Sequence, residues 1–94
     1  MAQHLKVQLV AVEEKVWSGE AEMVMARTTE GELGVLPGHA PLLGQLADSG
    51  QVRIKLPGGE QVVYEVAGGF LSVNERGVTV LAETATPASA SQGN

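Results

Sequence analysis

Glu30, Glu32 and His39 are the residues whose types could do chemistry, two carboxylates and an imidazole inside one short segment. Paired acids work as general acid and base only when they converge on a pocket that perturbs their pKa values. Nothing adjacent supplies a nucleophile or oxyanion donors, and Ser18, Ser49 and Ser72 have no histidine beside them in sequence. A hydrolytic site using His39 with Glu30 or Glu32 would need the fold to unite them in a cleft. Two histidines, His4 and His39, and no cysteine leave no metal-ligand spacing. Neither Gly-x-x-x-x-Gly-Lys-Ser/Thr nor Gly-x-Gly-x-x-Gly occurs, so no phosphate-cradling loop is expected. The expectation is a chain with no catalytic site, no metal, no cofactor and no small-molecule substrate.

The segment reads instead as a shaped contact loop. It runs Glu-Gly-Glu-Leu-Gly-Val-Leu-Pro-Gly-His-Ala-Pro-Leu-Leu from Glu30 to Leu43. Glycine opens backbone conformations closed to other residues, and proline fixes φ while removing a donor. Neighbours in an extended segment point oppositely, so one of Leu42 and Leu43 can fill a core while the other packs outward. Neutral imidazole at His39 can both donate and accept at an interface. Two readings of His39 stay open from the residues alone, a structural turn histidine and a partner contact.

Composition bounds the rest. A chain of 94 residues holds one domain. Its only aromatics are Trp17, Tyr64 and Phe70, so valine, leucine, alanine and methionine must build the core. A net charge of −5, with basic residues scattered singly, gives no stripe to neutralise phosphates, which excludes nucleic acid as an expected partner. The same acidity opposes docking on anionic lipid. No apolar run approaches the roughly 20 residues that span a bilayer, and no signal-peptide core follows Met1. The reading is a soluble, intracellular protein without membrane insertion.

The elements that must position the loop are strands. Leu5, Val7 and Leu9 alternate with polar residues, as do Val52, Ile54 and Leu56. Val62, Tyr64 and Val66 share a face, and Val78 and Val80 flank Thr79 before Leu81-Ala82. The run Leu9-Val10-Ala11-Val12 is apolar on both sides, which points to a strand covered twice or facing a partner. Trp17 is expected at the core, and Met23 and Met25, on one strand face, are expected to fill it. Turn residues recur at short intervals with no stretch of 3.6-residue periodicity, the pattern of an all-β sandwich or barrel. Pro57-Gly58-Gly59-Glu60 and Asn74-Glu75-Arg76-Gly77 read as hairpin tips. Gly68-Gly69 marks a bulge or a close backbone approach. Residues 1–85 form the domain, and 86–94, small and polar, read as a disordered tail or linker remnant.

Four landmarks in order give the chain a resemblance. They are Trp17-Ser18-Gly19; the run Gly31-Glu32-Leu33-Gly34-x-x-Pro37-Gly38-His39-Ala40-Pro41-Leu42-Leu43; Gly68-Gly69-Phe70-Leu71-x-Val73; and Val78-Thr79-Val80-Leu81-Ala82-Glu83-x-Ala85. Across residues 5–85 the sequence resembles the epsilon subunit of bacterial rotary F-type ATP synthases. The resemblance implies a flattened ten-stranded antiparallel β-sandwich that binds the gamma subunit and stands on the c-ring. There it would couple proton-driven rotation to ATP synthesis from the cytoplasmic face of the bacterial membrane. It implies c-ring contacts at Glu32, Gly38 and His39, and gamma contacts at His39, Ala40, Pro41, Leu42 and Leu43. Glu30 is left solvated. Family members usually add a C-terminal helical hairpin that restrains ATP hydrolysis. No such segment follows residue 85, as in a natural short form or a truncated one, so hairpin-mediated inhibition is not expected of this chain. A free-standing β-sandwich binding module for protein or carbohydrate is the alternative, disfavoured for sugars by the scarcity of aromatics.

Overall fold

Eight strands carry the chain: β1 (Leu5–Ala11), β2 (Glu14–Ala21), β3 (Met23–Thr28), β4 (Gly31–Val35), β5 (Leu42–Gln45), β6 (Gly50–Lys55), β7 (Gln61–Asn74) and β8 (Gly77–Pro87). The structure, a computed structural model, describes residues 4–12 and 14–88, and no helix occurs among them. The strands join in one hydrogen-bonded order, β2-β1-β8-β7-β6-β3-β4, with β5 also paired to β7. Ladders are antiparallel except β1 with β8, which run parallel from Lys6 beside Gly77 to Ala11 beside Ala82.

The expected ten strands are eight because two of them serve both layers. In β7, residues 61–66 pair with β6 and residues 70–73 pair with β5. In β8, residues 77–82 lie between β1 and β7, whereas 84–87 pair with β7. The first layer is therefore β2, β1, the start of β8, the end of β7, and β5. The second is the end of β8, the start of β7, β6, β3 and β4. The sheet folds over at Gly68-Gly69, where φ is 66° and 108°. Register in β7·β8 is unchanged across that corner, with Ala67 opposite Thr84 and Gly69 opposite Ala82. The double glycine is thus a close approach rather than an inserted residue. A Cβ on Gly69 would overlap the Leu81 carbonyl oxygen and come within 2.8 Å of Ala82 Cα. The register shift falls elsewhere, in β1·β2, where Leu9 faces Trp17 and Val10 faces Lys15.

Alternation sets what is buried. Leu5, Val7, Leu9, Val78, Val80, Ala82, Leu71 and Val73 line the first layer's inner face. Val24, Ala26, Val35, Val52, Ile54 and Val66 line the second, and the two sets form one core. Inward positions are even at Val66 and odd at Leu71 and Val73, so the strand changes face at the glycine corner. Val24 and Ala26 are buried while Met23 and Met25 are only half-buried. The methionines lie on the outer face, against the expectation of core filling, because valine and alanine already occupy the inward register. Trp17 packs at the core's edge with its ring over Gly19. Removing Leu71, with no exposed surface, leaves a cavity between the layers. Leu71→Ala should lose about 2–5 kcal/mol, read by thermal or urea unfolding.

Both hairpin tips occur as expected. At Leu56–Glu60, Leu56 N donates to the Glu60 carbonyl at 2.7 Å and Gly59 N to that of Leu56 at 3.0 Å. At the second tip, Asn74 Oδ1 accepts from the backbone N–H of Arg76 at 2.8 Å and of Gly77 at 3.1 Å. Asparagine at the first position of a turn acts in this way. The strand runs past the expected boundary at residue 85. Thr86 pairs with Glu65 and Pro87 with Tyr64, and Ala88 is buried, its N–H donating to the Val63 carbonyl at 3.0 Å. Pro87 is tolerated because this part of β8 has a partner on one side only. The remainder of the expected tail, 89–94, lies outside the described residues.

Candidate docking surface

The loop anticipated from sequence is two turns on either end of β4. At its start, the Thr28 hydroxyl donates to the Gly31 carbonyl at 2.7 Å and accepts from Glu30 N at 3.1 Å. This pins Thr29 and Glu30 as an exposed tip. Glu32 follows on the outer face of β4, across from Arg27 of β3. At the far end, Gly38 has φ 87° and His39 N donates to the Leu36 carbonyl at 3.0 Å. The His39 ring closes on its own loop, Nδ1 lying 2.7 Å from the Ala40 carbonyl oxygen. A carbonyl only accepts, so Nδ1 carries the proton and Nε2 is the ring's acceptor in the neutral form. His39→Ala should therefore cost about 1 kcal/mol of loop stability, seen as faster amide exchange at residues 38–40.

Glu32 and His39 are not brought together. They sit at opposite ends of β4, separated by about 10 Å of strand plus the turn. Among the described residues, no group of three or more His, Asp or Glu could hold a metal. The hydrolytic constellation of His39 with Glu30 or Glu32 does not form. A single partner touching both Glu32 and His39 has to cover the whole outer edge of β4.

Leu42 and Leu43 divide as neighbours in a strand must. Leu42, opposite Val73, packs on the core, and Leu43, opposite Ser72, is 71% exposed. Leu42 is thus a scaffold residue that positions its neighbour. Leu43 has company that sequence reasoning misses. Phe70 and Leu81 are 50% and 48% exposed and stand opposite each other in β7·β8. Leu81 in turn faces Val10 of β1, and Phe70 is diagonal to Leu43 through Ser72. Four strands of the first layer therefore present a continuous apolar stripe, Leu43–Phe70–Leu81–Val10, on the outside. The available signal is two-sided apolarity: Leu9-Val10, Phe70-Leu71 and Leu81-Ala82 each put apolar side chains on both faces of a strand.

The second layer's outer face is different. Arg27, Glu32, Arg53, Lys55 and Glu65 stand there, with Met23 and Met25 between them. One outer face carries an apolar stripe among polar residues such as Lys6, Gln8 and Thr79, and the opposite face is charged. Exposed contiguous apolar surface on a small domain marks an interaction site. Such a sandwich is a protein-docking module.

A family model described as ATP synthase, Delta/Epsilon chain, beta-sandwich domain matches residues 4–88. The chain belongs to that family. It is 58% identical over 81 residues to the ATP synthase epsilon chain of Frankia casuarinae, covering 86% of this chain and 94% of that one. To the epsilon chain of Rhodococcus jostii it is 57% identical over 81 residues, but spans only 66% of that protein. Among solved structures, a chain of the Euglena gracilis mitochondrial ATP synthase, captured as OSCP/F1/c-ring, superposes with a TM-score of 0.83 at 31% identity. That match covers 89% of this chain and 53% of the other. A chain from the Tetrahymena thermophila central stalk and c-ring shares the fold at a TM-score of 0.75 and 15% identity, over 98% of this chain and 72% of that one.

Proposed function

We propose that this chain is the rotor subunit that joins the gamma subunit to the c-ring of a proton-transporting ATP synthase. It works there without a catalytic group of its own, at the cytoplasmic face of a bacterial membrane. The observation that carries the reading is the asymmetry of the sandwich. An apolar stripe on one layer suits a permanent, dry contact with the shaft, and polar ends suit the loops of a ring. In this reading Leu43 is an anchor on gamma, flanked by the exposed Ala40 and Pro41, with Leu42 behind it. Glu32, Gly38 and His39 meet the c-ring, with His39 at the boundary between the two partners. Stable attachment needs an interface of about 1,000 Å² or more with apolar anchors at its centre.

Mechanically, the fold is suited to transmitting torque. Both long strands cross the two layers, so a load on one layer passes along continuous strand backbone to the other. The relatives' names and the Euglena assembly support the reading over a free-standing carbohydrate or peptide module. The test is reconstitution. Membranes stripped of the epsilon chain should lose proton-driven ATP synthesis and regain it when this chain is added back. Restoration by a matched, unrelated β-sandwich, or no restoration by this chain, would contradict the proposal.

A further inference from the structure

The charged outer face holds a second feature that the docking stripe does not use. Between β3, β4 and the start of β6 lies an open concavity of about 470 Å³, walled by Arg27, Glu32, Ser49, Gly50, Gln51 and Arg53. The Arg53 guanidinium and the Arg27 stem are each held in place. Gln51 Oε1 accepts from Arg53 Nε and Nη2, each at 3.3 Å. The Arg27 stem lies across Gly50, where an added Cβ would fall 2.9 Å from Arg27 Cβ and 3.1 Å from its Cδ. Glycine at that position is what lets the stem lie flat. A neighbouring hollow shares Ser49, Gly50 and Gln51 and continues to Glu65, Thr84 and Thr86. Together they make a polar trough across the second layer, with Arg27, Arg53 and Glu32 at one end, hydroxyl and amide groups along its floor, and Glu65 opposite Gln51.

We propose that this trough is the seat of an acidic loop from a protein partner, its carboxylate held between Arg27 and Arg53. Arg27, Arg53 and Lys55 are three of the six basic residues of a chain whose net charge is −5, and all three stand on this face. Guanidinium pairs recognise planar carboxylates through forked, charge-assisted hydrogen bonds. Glu32, across the strand from Arg27, keeps the local charge low. That weakens the pull on free multivalent anions, while an extended segment gains further hydrogen bonds from Ser49, Thr84 and Thr86. Arginine held by a neighbouring amide loses less side-chain freedom on binding than a free one. The proposal concerns the second layer and is independent of the gamma contact on the first; Glu32 at its rim is shared with the c-ring contact proposed above.

Nuclear magnetic resonance on this chain tests it, following the arginine Nε–H signals and the backbone amides of residues 49–51. The probes are acetyl-Gly-Asp-Gly-Glu-Gly-amide, its Asn/Gln analogue and inorganic phosphate. The acidic peptide should move both arginine signals saturably, and the analogue should not. Arg27→Gln and Arg53→Gln should each weaken the response about fivefold, with backbone spectra otherwise unchanged. Arg53→Lys, which keeps charge but loses the fork, should weaken it too. An equal response to the uncharged analogue would overturn the proposal. So would tighter binding of phosphate than peptide, or arginine signals that stay still.

Discussion

Leu43→Asp combined with Leu81→Asp should abolish stable attachment to the gamma subunit while leaving the sandwich folded. Both side chains are largely exposed, so the substituted carboxylates stay hydrated in the free domain. Bound, each would be dragged into an apolar contact without a partner charge. Central anchors of an interface typically contribute 2 kcal/mol or more, about 30-fold in affinity each. The pair should therefore lower affinity for gamma by about 1,000-fold if the sites act independently. Circular dichroism and the unfolding midpoint should remain near wild type. Leu42→Asp is the informative contrast. Its side chain points inward against the core, so the lesion should appear as about 3 kcal/mol of lost stability rather than as a specific loss of binding. A folded double variant that still binds gamma normally would remove the stripe from the interface.

The second large effect is expected at the corner. Gly69→Ala places a methyl group onto the Leu81 carbonyl at a φ of 108° that side-chain-bearing residues rarely adopt. Backbone lies on the other side of the clash, and no rotamer relieves it. The loss should exceed about 3 kcal/mol, a large share of what a domain of this size has. Gly58→Ala is the control, with a similar φ of 101° but open space around the added carbon. It should cost only about 1 kcal/mol. Chemical unfolding of the two variants separates steric collision from backbone strain. Equal losses at the two positions would mean the corner is not the tight crossing that folds one sheet into two layers.

The legible parts of the sequence are those governed by short-range rules. Period-two alternation locates β1, β6, the start of β7 and β8, and Asn74-Glu75-Arg76-Gly77 specifies a hairpin through its own side chain. The opposite directions of Leu42 and Leu43 follow from strand geometry alone. The crossing of β7 and β8 between layers is not legible. Gly68-Gly69 is equally a bulge or a close approach until its hydrogen-bonded neighbours are known, and those neighbours, Ala47 and Leu46, are remote in sequence. Hydrophobicity gives no sign of which strand face is the inside, so Met23 and Met25 read as inward when they are not. The stripe escapes for a related reason. Val10, Phe70 and Leu81 are far apart in the chain, and only the register of β1, β8 and β7 makes them neighbours. Acidic Glu32 and His39 look like one site because they are close in sequence, while an extended β4 keeps them apart.

Site-directed cross-linking tests the central claim most directly, because the chain contains no native cysteine and each introduced thiol is unique. In the assembled synthase, a short thiol-reactive photoprobe placed by Leu81→Cys should capture the gamma subunit, and one placed by Lys55→Cys on the opposite face should not. Capture of gamma from position 55 with none from position 81 would mean that the sandwich faces the shaft with its charged layer, contradicting the apolar stripe as the gamma-binding surface.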